Sequence, residues 1–393
     1  MKLILISKHF YPEEFFINYI VKELQDIHDV KIRIYTSFPY YNYDISKGLD
    51  YKSKEYISDI IRVNSVLPKN KKVINIFLNY FTFIFNLSVK ILKDRKKLKS
   101  NLILIFATSP IYQAIPAIIL KKIFKKKIII WVQDLWPEIL IDHKYIKNKF
   151  IKNILFNLSN LIYKNSDLIL AQNYDAEVYL KKKYQIKKIL THFNPSISKK
   201  NEFVEIAKEI DVFKIAYTGN IGESQNLLEV LKIIRKSKSK FIFYIIGEGS
   251  EKEKLKNFIH NNNLENKFII KKQIDKKELD YFIKNIDGLF ISLSSGVSLS
   301  KTIPGKFSYY LSKSLPIFSV SDGITNNLIK NKNLGLTSSS ANYDELLKKF
   351  NTFISLKYSD RILISNNCKK LYFEYFEFKN NVRKFKSILD NYI

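Results

Sequence analysis

The sequence predicts an α/β protein of two domains, each built on a parallel sheet, and three observations carry that reading. Short apolar runs recur along the whole chain, with longer amphipathic stretches between them. The runs are continuously apolar rather than alternating, which marks strands covered on both faces, as in a parallel sheet. The cycle also breaks and restarts once, near residue 195 of 393, and a chain of that length exceeds one hydrophobic core of ordinary size.

In the first half the apolar runs fall at 2–7, 30–36, 60–64, 101–106, 127–132 and 167–171. In the second they fall at 213–218, 241–246, 267–270, 288–293 and 316–320. Between them lie helical patterns such as Leu227, Val230, Leu231 and Ile234, spaced at three and four. Strand and helix alternating over the full length predict α/β architecture. The stretch 192–211 carries Pro195 and no strand pattern, so domains are expected at 1–195 and 196–370. Residues 371–393 mix aromatic and basic residues at helical spacing and predict a closing helix, expected to return to the first domain.

The opening MKLILISKHFYPEE is interrupted too soon by Lys8 and His9 for a secretory signal and reads as a first strand. The single Cys368 excludes an internal disulfide and suits a reducing cytoplasm. The five histidines are scattered, which argues against a zinc site. No Asp-x-Asp and no GxSxG occurs. A formal charge of +29 implies attraction to anions, whether nucleic acid, an acidic leaflet or phosphorylated ligands. No recognisable nucleic-acid module accompanies it, so no nucleic-acid partner is expected.

Residues 73–89 carry no charge and lie between Lys69, Lys71, Lys72 and Lys90, Lys93, Arg95, Lys96, Lys97, Lys99. Asn75, Asn79, Thr82 and Asn86 form one polar stripe, with Phe77, Phe81 and Phe85 on another face. This pattern, about 73–92, predicts a helix lying at an anionic membrane surface. A core helix and a membrane span are the alternatives.

Several strand ends carry groups suited to chemistry. After the run 213–218 come Gly219-Asn220-Ile221-Gly222, then Gln225 and Asn226 at the start of an apolar-striped helix. Glycines let amides approach a ligand, and a helix start favours an anion; a tight turn without a ligand is the alternative. After 241–246 come Gly247, Glu248 and Gly249, and Lys306 follows Pro304-Gly305. Ligands of open α/β sheets bind outside the carboxyl ends of strands. In the first half, Gln133, Asp134, Trp136, Pro137 and Glu138 follow the run 127–132. Polar groups there, beside an aromatic that could stack on a sugar, make a site; Asp134 as a helix cap is the alternative.

With HFYPEEFFIN (from His9), TSFPYYN (from Thr36), WVQDLWPE (from Trp131), YTGNIGESQNL (from Tyr217), IIGEG (from Ile245) and TIPGKFSYYL (from Thr302) in order, the chain resembles the family-4 retaining glycosyltransferases. Within that family it is similar to bacterial fucosamine-type transferases of O-antigen and capsule synthesis. The resemblance implies the GT-B fold, two Rossmann-like parallel-sheet domains facing a central cleft. It implies a nucleotide-sugar donor, UDP-sugar favoured, on the second domain, a lipid-linked saccharide acceptor on the first, and no metal or other cofactor. Gly219, Asn220, Gly222, Gln225, Asn226, Gly247, Glu248, Lys306 and Tyr309 would bind the donor. Asp134, orienting or deprotonating the attacking hydroxyl, and Gln133 would be catalytic; Glu13, Asn18, Trp136 and Glu138 would line the acceptor side. The chain departs from its relatives at Phe16 and Tyr19, where Arg and Asp are frequent, and at Ser294, where the branch has Lys. Lys301 and Tyr309 stand for the broader family's paired glutamates. The enzyme is expected peripherally on the cytoplasmic face of the membrane. Other readings are a nucleotide-sugar epimerase of the same fold and a non-catalytic anion-binding protein.

Overall fold

The computed structural model describes residues 1–39, 59–67, 73–98, 100–197, 203–340 and 342–392. Tyr40, Tyr41 and Asn42 of TSFPYYN, the flanking Lys69, Lys71, Lys72 and Lys99, and residues 198–202 of the linker lie outside them. The chain divides into two compact units, Met1–Asn194 with Asn381–Ile393, and Pro195–Asn380.

The first unit runs β1 (Lys2–Ile6), α1 (Phe16–Asp26), β2 (Lys31–Ser37), β3 (Asp59–Val63), α2 (Val73–Lys93), β4 (Leu102–Ala107), α3 (Ile115–Phe124) and β5 (Lys127–Val132). It continues with α4 (Glu138–Asp142), α5 (Lys149–Lys164), β6 (Leu168–Ala171), α6 (Tyr174–Tyr184) and β7 (Ile189–Thr191). Among the described residues these strands form one parallel sheet in the order β3-β2-β1-β4-β5-β6-β7. Every residue of β4 is buried, so its sequence LILIFA needs no polar face.

The second unit runs β8 (Phe213–Thr218), α7 (Leu227–Ile234), β9 (Phe241–Ile246), α8 (Lys252–Asn261), β10 (Phe268–Lys271), α9 (Lys276–Ile283) and β11 (Gly288–Ser292). It continues with α10 (Val297–Ser300), α11 (Gly305–Lys313), β12 (Ile317–Val320), α12 (Ile324–Asn331), β13 (Gly335–Ser338), α13 (Tyr343–Ile354) and α14 (Tyr358–Leu371). Its parallel sheet has the order β10-β9-β8-β11-β12-β13. In both sheets the order reverses beside the first strand, so β1/β4 and β8/β11 flank the points where loops diverge and ligands bind in such sheets.

The last helix, α15 (Phe378–Asp390), carries the chain from the second unit to the first. The segment before it belongs to the second unit, where Phe376 packs on Phe307 and its carbonyl accepts from Ser196 N at 2.8 Å. From Asn381 the contacts change: Asn381 Nδ2 donates to Phe193 O, and Phe385 packs on Trp131 and His192.

Two strands escape the sequence pattern. β7 and β13, at sheet edges, are short and only partly buried, so neither shows a continuous apolar run.

The polar stripe of α2 has partners within the protein. Asn79 is buried and donates to Ser65 Oγ and Val66 O, Thr82 Oγ1 accepts from Val66 N, and Asn86 donates to Asn64 O. The stripe therefore fastens the helix to the exit of β3. Phe77 packs on the core, whereas Phe81 and Phe85 are exposed. The solvent-facing side of α2 is the apolar one.

Candidate active site

In the second unit the site grows from the carboxyl end of β8. Thr218 N donates to Tyr310 Oη at 2.9 Å, which ties α11 to the strand. One helical turn before Tyr310, Lys306 is thereby brought over the tip of β8. Its Nζ lies 3.6 Å from the Tyr217 ring centroid, and a Cβ built on Gly219 would stand 3.3 Å from it. A side chain at residue 219 would displace the ammonium, and the positive φ of 116° there also favours glycine.

Among the described residues no acceptor reaches Lys306 Nζ, although the group is buried. Burial holds its pKa well below the ordinary value. A buried cation without a partner is destabilising and is retained where an anion completes it. Gly219 and Asn220 beside it are exposed, and α11 starts at Gly305, adding the positive end of its dipole.

The glycine turns are more structural than the sequence suggested. Gly219 N donates to Ile246 O, and Gly222 N donates to Gln225 Oε1 at 3.0 Å. Those two amides are taken, so they do not cradle a phosphate, and Gln225 closes the turn instead of binding a donor. Gln225 Oε1 also accepts from Asn220 Nδ2 at 3.1 Å. A 3-10 turn, Glu223–Gln225, and Asn226 in the left-handed region (φ 48°) separate the glycines from α7. A Cβ on Gly247 would lie 1.9 Å from Gly219 O, and one on Gly249 would lie 2.1 Å from Ile221 O. These glycines let one turn pack on the other, which answers their occurrence without a ligand.

Glu248 is largely exposed and pairs with Lys252 at 2.6 Å, a hydrogen bond that lowers its pKa. Tyr309 donates to Asp280 Oδ1 at 2.8 Å, where Lys313 also pairs, so its hydroxyl serves the α9–α11 contact. Ser294 N donates to Ser224 O at 2.8 Å and holds the loop after β11 against the 223–225 turn.

In the first unit the loops after β1, β4 and β5 converge. Lys8 N donates to Gln113 Oε1 at 2.8 Å, joining the first two. Ser109 Oγ donates to Asp134 Oδ2 at 2.9 Å and accepts from Trp136 Nε1 at 3.2 Å, joining the second to the third. Burial raises the Asp134 pKa, opposed by the Ser109 hydrogen bond and by His9 and His143 nearby. A carboxyl lifted toward neutrality suits proton acceptance. His9 bonds Glu13 at 2.7 Å and stacks on Phe15. Lys8 is buried, with a pKa lowered by burial to about 7.

Gln133 Oε1 accepts from Asn194 Nδ2 at 2.7 Å, and its buried Nε2 has no acceptor among the described residues. Glu13 and Asn18 are buried, and Asn18 Nδ2 donates to Glu13 O at 2.7 Å; they brace the first loop rather than line an entrance. Trp136 is buried with its ring against Tyr80 and Tyr112, so it offers no face to a sugar. Glu138 is buried and takes Tyr179 Oη at 2.8 Å, Tyr184 Oη at 3.2 Å and Lys183 Nζ at 2.9 Å. It anchors α6 instead of contacting an acceptor. Glu138→Ala is therefore expected to lower stability by about 3–5 kcal/mol, as when one partner of a buried ion pair is removed. Thermal melts beside transfer assays check this: transfer per folded molecule stays unchanged, and its loss at normal stability would restore the acceptor role.

Sequence reasoning missed Ser109, His9 and Tyr310. Ser109 stands two residues after β4, as Asp134 does after β5, and was reachable by the same rule. Tyr310 was not, because only the packing of α11 on β8 gives its hydroxyl a purpose. Among the described residues no three His, Cys, Asp or Glu side chains come together as a metal-ligating group.

Residues 198–370 match the family model described as "Glycosyl transferases group 1". No curated protein matches the chain in sequence. Among solved structures, sucrose-phosphate synthase from Thermosynechococcus elongatus superposes with a TM-score of 0.74 at 12% identity, covering 99% of this chain and 98% of that one. Anabaena HepE in complex with UDP gives 0.72 at 9% identity, with 100% of both chains covered. The lipopolysaccharide outer core galactosyltransferase WaaB gives 0.67 at 15% identity, again over 100% of both. These likenesses show the GT-B fold, and with the matched domain they define the class of protein: it is a glycosyltransferase.

Proposed function

We propose that the protein moves a sugar, a hexosyl or N-acetylamino-sugar group, from a nucleotide donor to a lipid-linked saccharide, with retention of anomeric configuration. The setting would be bacterial surface polysaccharide synthesis on the cytoplasmic face of the membrane, and the particular relatives would be the family-4, fucosamine-type transferases of O-antigen or capsule. One observation carries the donor half of this reading: the buried Lys306 ammonium beside Gly219 has no anion among the described residues. A diphosphate supplies one, with Lys306 and the start of α11 in the place that a metal ion takes elsewhere.

UDP is the donor nucleotide we favour; HepE, of the same fold, is known in complex with UDP. WaaB, also of this fold, is a lipopolysaccharide galactosyltransferase. On the acceptor side Asp134 orients the attacking hydroxyl or takes its proton, and Gln133 has a donor left for the sugar. The apolar outward side of α2 supports a lipid-borne acceptor over a soluble one and weighs against an epimerase.

The test incubates the full chain, in chelator, with a panel of nucleotide sugars and a lipid-linked saccharide, and weighs the lipid. A mass gain of one sugar residue is expected. Conversion of the nucleotide sugar without any acceptor would select the epimerase, and salt-sensitive nucleic-acid binding with no nucleotide-sugar affinity would select the anion-binding protein.

A further inference from the structure

We propose that the first unit reads the acceptor's terminal sugar with an amide pair, Gln133 and Asn194, beside an aromatic platform, Tyr174, and that the class it takes is an uncharged, hydroxyl-bearing sugar. This deepens the acceptor half of the proposed function and rests on it.

Three neighbouring strands deliver these residues to one place. Val132 pairs with Ala171, and Ala171 pairs with Thr191, so β5, β6 and β7 end level with one another. The residues that follow emerge side by side at the carboxyl end of the sheet. Gln172 Nε2 donates to Gln133 O and ties the exit of β6 to that of β5. Asn194 Nδ2 donates to Gln133 Oε1 at 2.7 Å and ties in the exit of β7. Tyr174 opens α6, and its ring meets that of Phe193, the neighbour of Asn194, at 5.3 Å and 81°.

The amide pair selects the chemistry of the ligand. Its one hydrogen bond leaves two buried atoms, Gln133 Nε2 and Asn194 Oδ1, with no partner among the described residues. One is a donor and the other an acceptor. Turning both amides over exchanges the roles but again leaves one of each. An anion brings acceptors only and cannot satisfy the carbonyl oxygen; an ammonium brings donors only and cannot satisfy the amide nitrogen. A hydroxyl both donates and accepts, so it satisfies either atom. Groups left unmade in such a site carry a cost, which turns a pair suited to hydroxyls against ligands that lack them.

Tyr174 fills the place left by Trp136, which is buried. Its side chain is 47% exposed, and the near-perpendicular contact leaves at least one ring face uncovered by Phe193. An aromatic face takes the apolar C–H side of a sugar ring while the hydroxyls at the ring's edge reach polar groups beside it. Asp134 is the residue after Gln133, so the hydroxyls held here belong to the sugar whose free hydroxyl attacks.

The experiment measures saturation transfer by NMR from the full chain, with no donor or lipid present. The probes are methyl glycosides of glucose and galactose, of their uronic acids, and of their 2-amino-2-deoxy forms. Transfer to the neutral glycosides is expected, with the uronic acids about tenfold weaker or more. Asn194→Asp and Gln133→Glu each replace an amide by a carboxylate that only accepts. Each should weaken the neutral glycosides about tenfold and turn the preference to the protonated amino sugars. Tyr174→Ala should weaken every glycoside, whereas Tyr174→Phe, which keeps the ring, should not. Melting temperatures are taken for all variants. Variants that lose stability while keeping the wild-type preference make the pair structural and overturn the proposal. So do uronic acids that bind as well as the neutral glycosides, or the absence of saturation from every neutral glycoside. A nucleotide sugar that displaces the glycoside gives the subsite to the donor and overturns its acceptor role. Because no sugar is transferred, failure here leaves the transferase reading standing, and glycoside binding without any transfer in the mass assay retires that reading alone.

Discussion

Lys306→Met should reduce kcat/KM for sugar transfer by at least about 10²-fold while making the ligand-free protein more stable. Both effects have one origin. The amine is buried on the Tyr217 ring with no acceptor among the described residues, so the empty protein holds a buried polar group without a hydrogen bond. An apolar chain of similar length removes that burden, worth ~1–3 kcal/mol for an unsatisfied buried group. With a diphosphate bound, the protonated amine becomes the strongest contact, and methionine cannot replace it.

The pH dependence gives a separate handle. Burial depresses the Lys306 pKa below its ordinary 10.5, so between the two values the unfolded chain holds more protons than the folded one. Stability therefore rises with pH through that window. Lys8, lowered by burial to about 7, adds a rise of the same sign from about 7 to 10.5. Urea melts of Lys306→Met should show a flatter rise, with the Lys8 part remaining. Unchanged transfer kinetics in the folded variant would remove Lys306 from the donor site.

Asp134→Asn should slow transfer by about 10²- to 10⁴-fold, the range for a positioned proton acceptor. The fold should survive, because an amide oxygen can still accept from Ser109. In the wild type the rate should rise with pH as Asp134 loses its proton, with burial moving that limb up from the ordinary Asp value. The Ser109 hydrogen bond holds the pKa down. Ser109→Ala should therefore move the acid limb further up, leaving the plateau rate largely intact. A limb that moves down, or an Asp134→Asn variant with the wild-type rate, would take the carboxyl out of the reaction.

Much of the framework was readable because continuous apolarity has few other causes. KIIIWV and FIFYII emerge as buried strands because both faces of a parallel sheet are covered. β7 and β13 were not readable, since edge strands keep partly exposed residues. At the site, position was easier to read than role. Asp134 was singled out at a strand end and Lys306 at a helix start, and both remain candidates, whereas Gln225, Tyr309, Trp136 and Glu138 turn out to be occupied within the protein. Glu138, Tyr309 and Trp136 turn to protein partners distant in sequence, such as Tyr179 for Glu138 and Asp280 for Tyr309, while Gln225 closes its own turn. Gly247 was misread for a related reason: close approach of another backbone selects glycine just as a phosphate does.

The sequence by itself determined the α/β class, the two units and the strand tips that could hold chemistry, because periodicity and strand-end polarity are local properties. Tertiary structure alone decided which polar groups remain available. Asn79 and Gln225 look as ready for a ligand as Lys306 does, yet folding gives the first two protein partners and, among the described residues, leaves the third without an acceptor. Whether a donor or cation is satisfied depends on the three-dimensional course of the backbone around it, which apolar periodicity does not encode.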